Sequence, residues 1–169
     1  VAHSLGLKST ATIMFGHIDD IDSWVNHFSL IKNIQMNTGG FTEVVPLPFV
    51  HMGSPIYLRG KSMPGPTWDE VVLIHSLARI YFTNIIDNIQ ASWVKLGHDG
   101  AGKLLKAGVN DLGGTLINEN ISRASGADHG QETTGKQFIE LIESFNKTPI
   151  LRNTLYTELK NPKTLIKYS

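Results

Sequence analysis

At 169 residues the chain is long enough for one domain with a sizeable core, and 41% apolar against 18% charged residues excludes a disordered composition. Fifteen basic and fifteen acidic side chains cancel, so no charge excess argues for nucleic acid or an anionic membrane surface as a partner. Cysteine is absent, which excludes disulfides, thiolate nucleophiles, zinc–thiolate sites and cysteine-held iron–sulfur clusters within these residues. No apolar run approaches the roughly 20 residues of a membrane span and no signal peptide is visible, so a cytoplasmic location is expected. The sequons Asn120-Ile-Ser122 and Asn146-Lys-Thr148 are then expected to go unmodified. The first residue is Val1 rather than Met, which points to a piece of a longer polypeptide.

Val1 to Leu7 reads as the end of a helix with Gly6 as its C-cap. Lys8 to Gly16 follows as a strand, alternating Thr10, Thr12 and Met14 against Ala11, Ile13 and Phe15. His17 and Asp19 lie at its C-terminal end. Asp20 to Asn37 is an amphipathic helix in which Ile21, Trp24, Val25, Phe28, Ile31 and Ile34 keep helical spacing. Asp19 or Asp20 can cap it, and Gly39-Gly40 ends it. The acidic residues of the His17 to Asp22 run resemble metal ligands in type, but at a first helical turn they suit caps that oppose the macrodipole.

Phe41 to Leu47 reads as the second strand, with Pro46 and Pro48 expected to stop its ladder because proline lacks the donor. The irregular segment Pro48 to Pro66, rich in prolines and aromatics, is expected to be an ordered lid. Thr67-Trp-Asp-Glu70 is a capping box opening a helix to about Thr83 that buries Val71, Ile74, His75, Ala78 and Phe82. His75 on that stripe reads as a satisfied core histidine. Asn88 to Val94 is expected as a third strand with Asn88, Gln90 and Ser92 on one face. Polar residues inside a strand flanked by helices point into a barrel interior or a site, since burying them unpaired costs a few kcal/mol each.

His98 to Ala107 reads as a short helix stopped by Gly108, and Asn110 to Leu116 as the fourth strand. Its Gly113-Gly114 pair permits φ > 0 and close backbone approach to a ligand, and Thr115, Asn118, Glu119 and Asn120 gather polar groups behind it. A plain tight turn would use the same glycines. Thr134-Gly-Lys-Gln137 is a second capping box; Phe138, Leu141, Ile142 and Phe145 mark the last helix, and Pro149 ends it. The tail from Ile150 to Ser169 is basic and irregular, with Leu151, Leu155 and Tyr156 able to pack back.

Strand and helix alternate four times, which asks for an α/β fold of parallel strands joined by right-handed crossovers. Four such units make half of an eight-stranded barrel and would expose two sheet edges alone. A closed barrel completed by a missing companion is therefore expected, with residues 1–156 as its C-terminal half and 157–169 as a tail. A complete four-stranded doubly wound domain is the structural alternative.

Five separated motifs resemble one family in order: Thr12 to His17, Thr38 to His51, Pro55 to Gly60, Asn88 to Lys95, and Asn110 through Ala127. They are similar to the deazaflavin (FO) synthases, more narrowly to the tyrosine-using subunit or the C-terminal module of the fused two-module enzyme. The resemblance runs from about Ala2 to Tyr156. It implies a radical S-adenosylmethionine (β/α)8 TIM-type barrel, with S-adenosyl-L-methionine and a 4Fe-4S cluster in the parent enzyme. It also implies tyrosine and 5-amino-6-ribitylaminouracil as substrates, joined through a hydroxybenzyl fragment. The cluster ligands are not in this chain, which by itself is expected to be inactive. Its implied partners are the N-terminal half of the same barrel and the other FO synthase module.

Matched to strand ends, the resemblance implies that His17 and Asp19 hold polar substrate groups and that Pro46 and Pro48 shape the wall near the nucleoside. Gln90 and Ser92 would meet the uracil edge or ribityl hydroxyls. Asp111, Thr115, Asn118 and Glu119 would form the last polar cluster, with Arg123 pairing the tyrosine carboxylate and His129 and Gln131 closing over it. Each has a plainer role open to it as a cap, a solvated charge or a loop residue. Rival functions are a sister radical enzyme of the futalosine route to menaquinone, a non-catalytic half-barrel that binds a ligand or partner, and a phosphate-handling barrel using Gly113-Gly114.

Overall fold

The computed structural model describes residues 1–116, 124 and 132–158. A 3-10 turn at His3–Leu5, closed by Gly6, leads into β1 (Ser9–Phe15). Then come α1 (Ile21–Thr38), β2 (Phe41–Pro48), a short α2 (Pro55–Leu58), α3 (Trp68–Tyr81), β3 (Asn88–Ile89), α4 (Trp93–Leu104) and α5 (Gly135–Ser144). The described strands form one parallel sheet in the order β1-β2-β3. Asp111 bridges in parallel to Gln90 on the far side of β3, so the order continues in chain sequence without reversal. A doubly wound sheet reverses its order and carries helices on both faces. Here Ala11, Ile13, Phe15 and Val44 share a single core with Trp24, Phe28 and Ile31 of α1 and Ile74 and Ala78 of α3. Among the described residues no helix is long and apolar enough to cross a membrane.

The caps are where the chain announced them. Asp20, not Asp19, caps α1 by accepting the Ser23 N–H at 2.8 Å, and Gly39 ends it at φ 58°. Both capping boxes form, Thr67 with Glu70 and Thr134 with Gln137. Only Trp24, Phe28 and Ile31 of the expected α1 stripe are fully buried; Ile21, Val25 and Ile34 lie on its flanks, exposed. The five apolar and histidine positions expected inside α3 and just beyond its end are all buried.

The prolines of β2 act on one side only. In a parallel strand the N–H and C=O of one residue point the same way. Gln90 N–H donates to Val44 O at 2.9 Å, and Phe49 N–H donates to Phe15 O at 2.9 Å. Even positions of β2 therefore aim at β3 and odd ones at β1. Pro46 and Pro48 fall on the β3 side, where the ladder ends at Val44, while pairing with β1 runs on to Pro48.

The third and fourth strands are shorter than their patterns. β3 stops because Ser92 becomes the N-cap position of α4 and Trp93 turns inward, its Nε1 donating to Gly114 O at 3.1 Å. The expected strand over Asn110 to Leu116 contributes one bridge, at Asp111. Its Asn110 side chain is engaged by the Ile89 N–H at 2.9 Å and by Arg79, and Gly113 takes φ 74°, so the extended run is broken. α4 is kinked at Gly97 (φ 68°), which leaves the expected short helix from His98 as its second part.

Helix α5 seats on α4 through a glycine. A Cβ on Gly102 would lie 2.3 Å from Phe145 and 2.9 Å from Leu141. Gly102→Ala is expected to lower unfolding free energy by about 1–3 kcal/mol through overpacking, read as a shift in the urea midpoint. An unchanged midpoint would show that α5 does not pack there.

Candidate functional site

Two polar clusters stand on this frame, one at the C-terminal end of β1 and one on the sheet face away from the helices. The first is built around Asp19. Its carboxylate accepts the N–H groups of Gly16 (3.0 Å) and His17 (2.8 Å) and the indole N–H of Trp24 (2.5 Å). Burial pushes its pKa up, but the hydrogen bonds from Trp24, Gly16 and His17 outweigh it and hold the carboxyl at about 2. Asp19 is thus ionised and fully engaged in shaping the loop. The His17 Nδ1 lies 2.6 Å from Asp19 Oδ1 and accepts the Ile18 N–H at 2.7 Å, so the ring is held between its own loop and the carboxylate.

The long segment after β2 is ordered over this cluster, as a lid would be. Phe49 N–H pairs with Phe15 O, Met63 N–H donates to His17 O at 2.7 Å, and Phe49 lies beside the His17 ring with centroids 5.7 Å apart. Asp19→Ala would strand two backbone donors and an indole N–H, and is expected to cost about 3 kcal/mol in chemical denaturation. A loss below about 1 kcal/mol would show that Asp19 does not hold the loop.

The second cluster lies on the face that carries Thr10, Thr12 and Met14 of β1. Thr10 aligns with Glu43 and Thr12 with Val45 in β2; Asn88 aligns with Glu43 in turn, and Gln90 with Asp111. Glu43 is only 4% exposed and accepts from Gln90 Nε2 at 2.9 Å. Burial, followed at smaller scale by the Asp111 charge, raises its pKa against the hydrogen bonds of Tyr156 and Gln90 and the pull of Arg152. Arg152 pairs with Asp111 through Nε and Nη2, the latter at 2.9 Å, and its Nη2 stands 3.8 Å from Glu43. Burial first, then the neighbouring Glu43 carboxylate, raises the Tyr156 pKa, against the influence of Thr42 and Arg152. Thr10, Thr12 and Met14, at the other side of the same face, remain exposed.

The structure therefore brings Gln90 and Asp111 together, with His17 and Asp19 at the strand ends. Ser92 is half-buried at the start of α4 and makes no side-chain cap bond. Pro46 is fully buried and Pro48 buried, on the same β2 face as Val44, so their rings pack toward the helices rather than toward the polar face. Their carbonyls are what they direct past the end of β3. Thr115 is exposed. Asn118, Glu119, Arg123, His129 and Gln131 lie outside the described residues.

Glu43 and Arg152 escaped the sequence reading, which gave Tyr156 a packing role only. Glu43 left a signal: a lone carboxylate inside Phe41 to Leu47 requires a partner when buried. In the tail, Tyr156 packs back as expected, but Leu155 is exposed and the anchoring side chain is Arg152.

Residues 38–165 match the family described as the CofH/MqnC C-terminal region. Over 160 residues the chain is 50% identical to the 5-amino-6-(D-ribitylamino)uracil–L-tyrosine 4-hydroxyphenyl transferase of Methanopyrus kandleri, covering 95% of this chain and 43% of that protein. The protein of the same name from Methanothermobacter thermautotrophicus is 45% identical over 95% of this chain and 44% of its own length. FO synthase of Mycobacterium leprae is 47% identical over 155 residues, 92% of this chain and 18% of that protein. The chain thus spans less than half the length of these curated relatives. With three quarters of its residues inside the matched region, the chain belongs to the CofH/MqnC C-terminal-region family.

Proposed function

We propose that this chain is part of a radical S-adenosylmethionine transferase that joins the hydroxybenzyl fragment of tyrosine to 5-amino-6-ribitylaminouracil in deazaflavin biosynthesis. The observation that carries this is the 50% identity, across 95% of the chain, to a transferase named for those two compounds. In that reading the sheet is the C-terminal half of a (β/α)8 barrel. Unreversed strand order, helices on one face and a polar opposite face all support it.

A 4Fe-4S cluster of the expected kind is held by cysteine thiolates, and this chain has none, so its residues do not fit the cluster. The cluster and its chemistry belong to the remainder of the longer protein. What this chain contributes is a wall: the His17 ring at the strand ends, Gln90 on the polar face, and the ordered segment 49–66 excluding water above. The 18% share of the M. leprae FO synthase leaves room for a further module as partner.

The test is anaerobic reconstitution of the full-length protein with iron and sulfide, followed by S-adenosylmethionine, tyrosine and 5-amino-6-ribitylaminouracil. A mass-spectrometric adduct of the uracil plus a hydroxybenzyl unit is expected. Cleavage of S-adenosylmethionine without that adduct would overturn the substrate assignment. The 169-residue chain alone is expected to give no turnover.

A further inference from the structure

The charged group that organises the polar face is not on a strand; it comes from the segment after α5. Residues 152–158 form a tight loop. Asn153 N–H donates to Thr157 O (3.1 Å), the Asn153 side chain accepts the N–H groups of Leu155 (2.9 Å) and Thr157 (3.1 Å), and Arg152 bridges to Glu158. The Arg152 guanidinium stacks 4.1 Å from the Tyr156 ring centre. Guanidinium and ring are thus set on the sheet face together, one meeting Asp111 and the other Glu43.

Asp111 is the link onward. While Arg152 holds its two oxygens, Oδ1 also accepts the Gly113 N–H at 2.6 Å, at the residue where the backbone takes φ 74°. Gln90 closes the other side of the turn: a Cβ on Gly113 would be 3.2 Å from Gln90 Oε1. The same Gln90 is held by Glu43 at 2.9 Å. Fixing the carboxylate therefore fixes both the glycine turn and the position of the Gln90 amide. A lysine in place of Arg152 could neutralise charge but could not hold two carboxylate oxygens in one plane.

We propose that Arg152 is a positioning residue: through Asp111 it sets the Gly113–Gly114 turn and, with Tyr156, floors the polar face on which Gln90 meets substrate. This rests on reading that face as the substrate wall. Asp111 then serves the turn, and substrate contacts fall to Gln90 and the groups nearer the strand ends.

The test uses full-length protein carrying Arg152→Ala or Arg152→Lys, with two readouts. Amide exchange at Gly113 should accelerate at least about tenfold in both variants, while the Ile89 amide, held by Asn110, stays unchanged. Turnover with tyrosine and the ribitylaminouracil should fall at least about tenfold in kcat/KM in both, and methylguanidinium should restore it in Arg152→Ala alone. Should the alanine variant not fold, the lysine variant carries both readouts. Unaltered Gly113 exchange, or kcat/KM within about twofold of wild type in the lysine variant, would overturn the proposal. If wild type itself gives no adduct, the exchange readout still decides for or against the link from Arg152 to the turn.

Discussion

Acidification from about pH 7 to about pH 4 is expected to remove about 3 kcal/mol of stability through one side chain, His75. Its ring is fully buried in α3, Nδ1 donates to Val71 O at 2.7 Å, and Nε2 has no partner among the described residues. Burial is the larger influence and drives the pKa down from 6.5 to about 4, against the Val71 hydrogen bond. The sign follows directly. Between those two values the unfolded chain takes up a proton that the folded chain refuses, so stability is full above pH 6.5 and falls as the pH drops toward 4. Asp19, held at about 2, adds its own loss only at lower pH still. Urea unfolding of wild type and His75→Met at several pH values checks this. The variant should lose most of the pH dependence in that window, and identical pH profiles would refute the assignment to His75.

Gly16→Ala is expected to be the most damaging single methyl in the strand-end cluster, costing about 2–5 kcal/mol and loosening the segment over it. Gly16 has φ +85°, and an added Cβ would lie 2.4 Å from Pro66 Cδ and 2.5 Å from Pro66 N. Backbone strain and collision with a ring act together there. Gly60 separates the two effects: its φ is +66°, but a Cβ would meet nothing within 4 Å. Gly60→Ala should therefore cost only about 1 kcal/mol, the strain alone. Denaturation midpoints and proteolysis within residues 49–66 read both; equal losses in the two variants would show that Pro66 does not bear on Gly16.

Local chemistry was legible because it depends on neighbours in sequence. Asp20, Thr67, Thr134 and Gly39 cap or end helices for reasons contained within four residues. The alternation of Thr10, Thr12 and Met14 against Ala11, Ile13 and Phe15 was enough to give β1 its two faces. Strand length was not legible. Ser92 and Asn110 satisfy an extended pattern equally well, and only the fold shows them diverted to a helix start and to the Ile89 amide. The adjacency of polar groups was legible where it rested on strand faces, as with Gln90 beside Asp111, and hidden where it depended on distant pairing. Nothing near Arg152 in sequence marks Asp111, 41 residues away, as its partner. Prolines 46 and 48 meet the same limit: that both are buried and that their missing donors face β3 depends on the sheet, not on their neighbours in sequence.

The central claim is that the polar face of this sheet is the inner wall of a barrel closed by the rest of a longer protein. The absence of cysteine from this chain makes it testable by introduced thiols. Thr12→Cys places a thiol on the polar face, and Ile80→Cys places one at a position 73% exposed on α3. In the full-length protein, with modification mapped by peptide mass spectrometry, a bulky maleimide should label position 80 readily and position 12 at least about tenfold more slowly. Equal labelling at the two positions would mean that the face is open to solvent, and the barrel with its enclosed substrate wall would be contradicted.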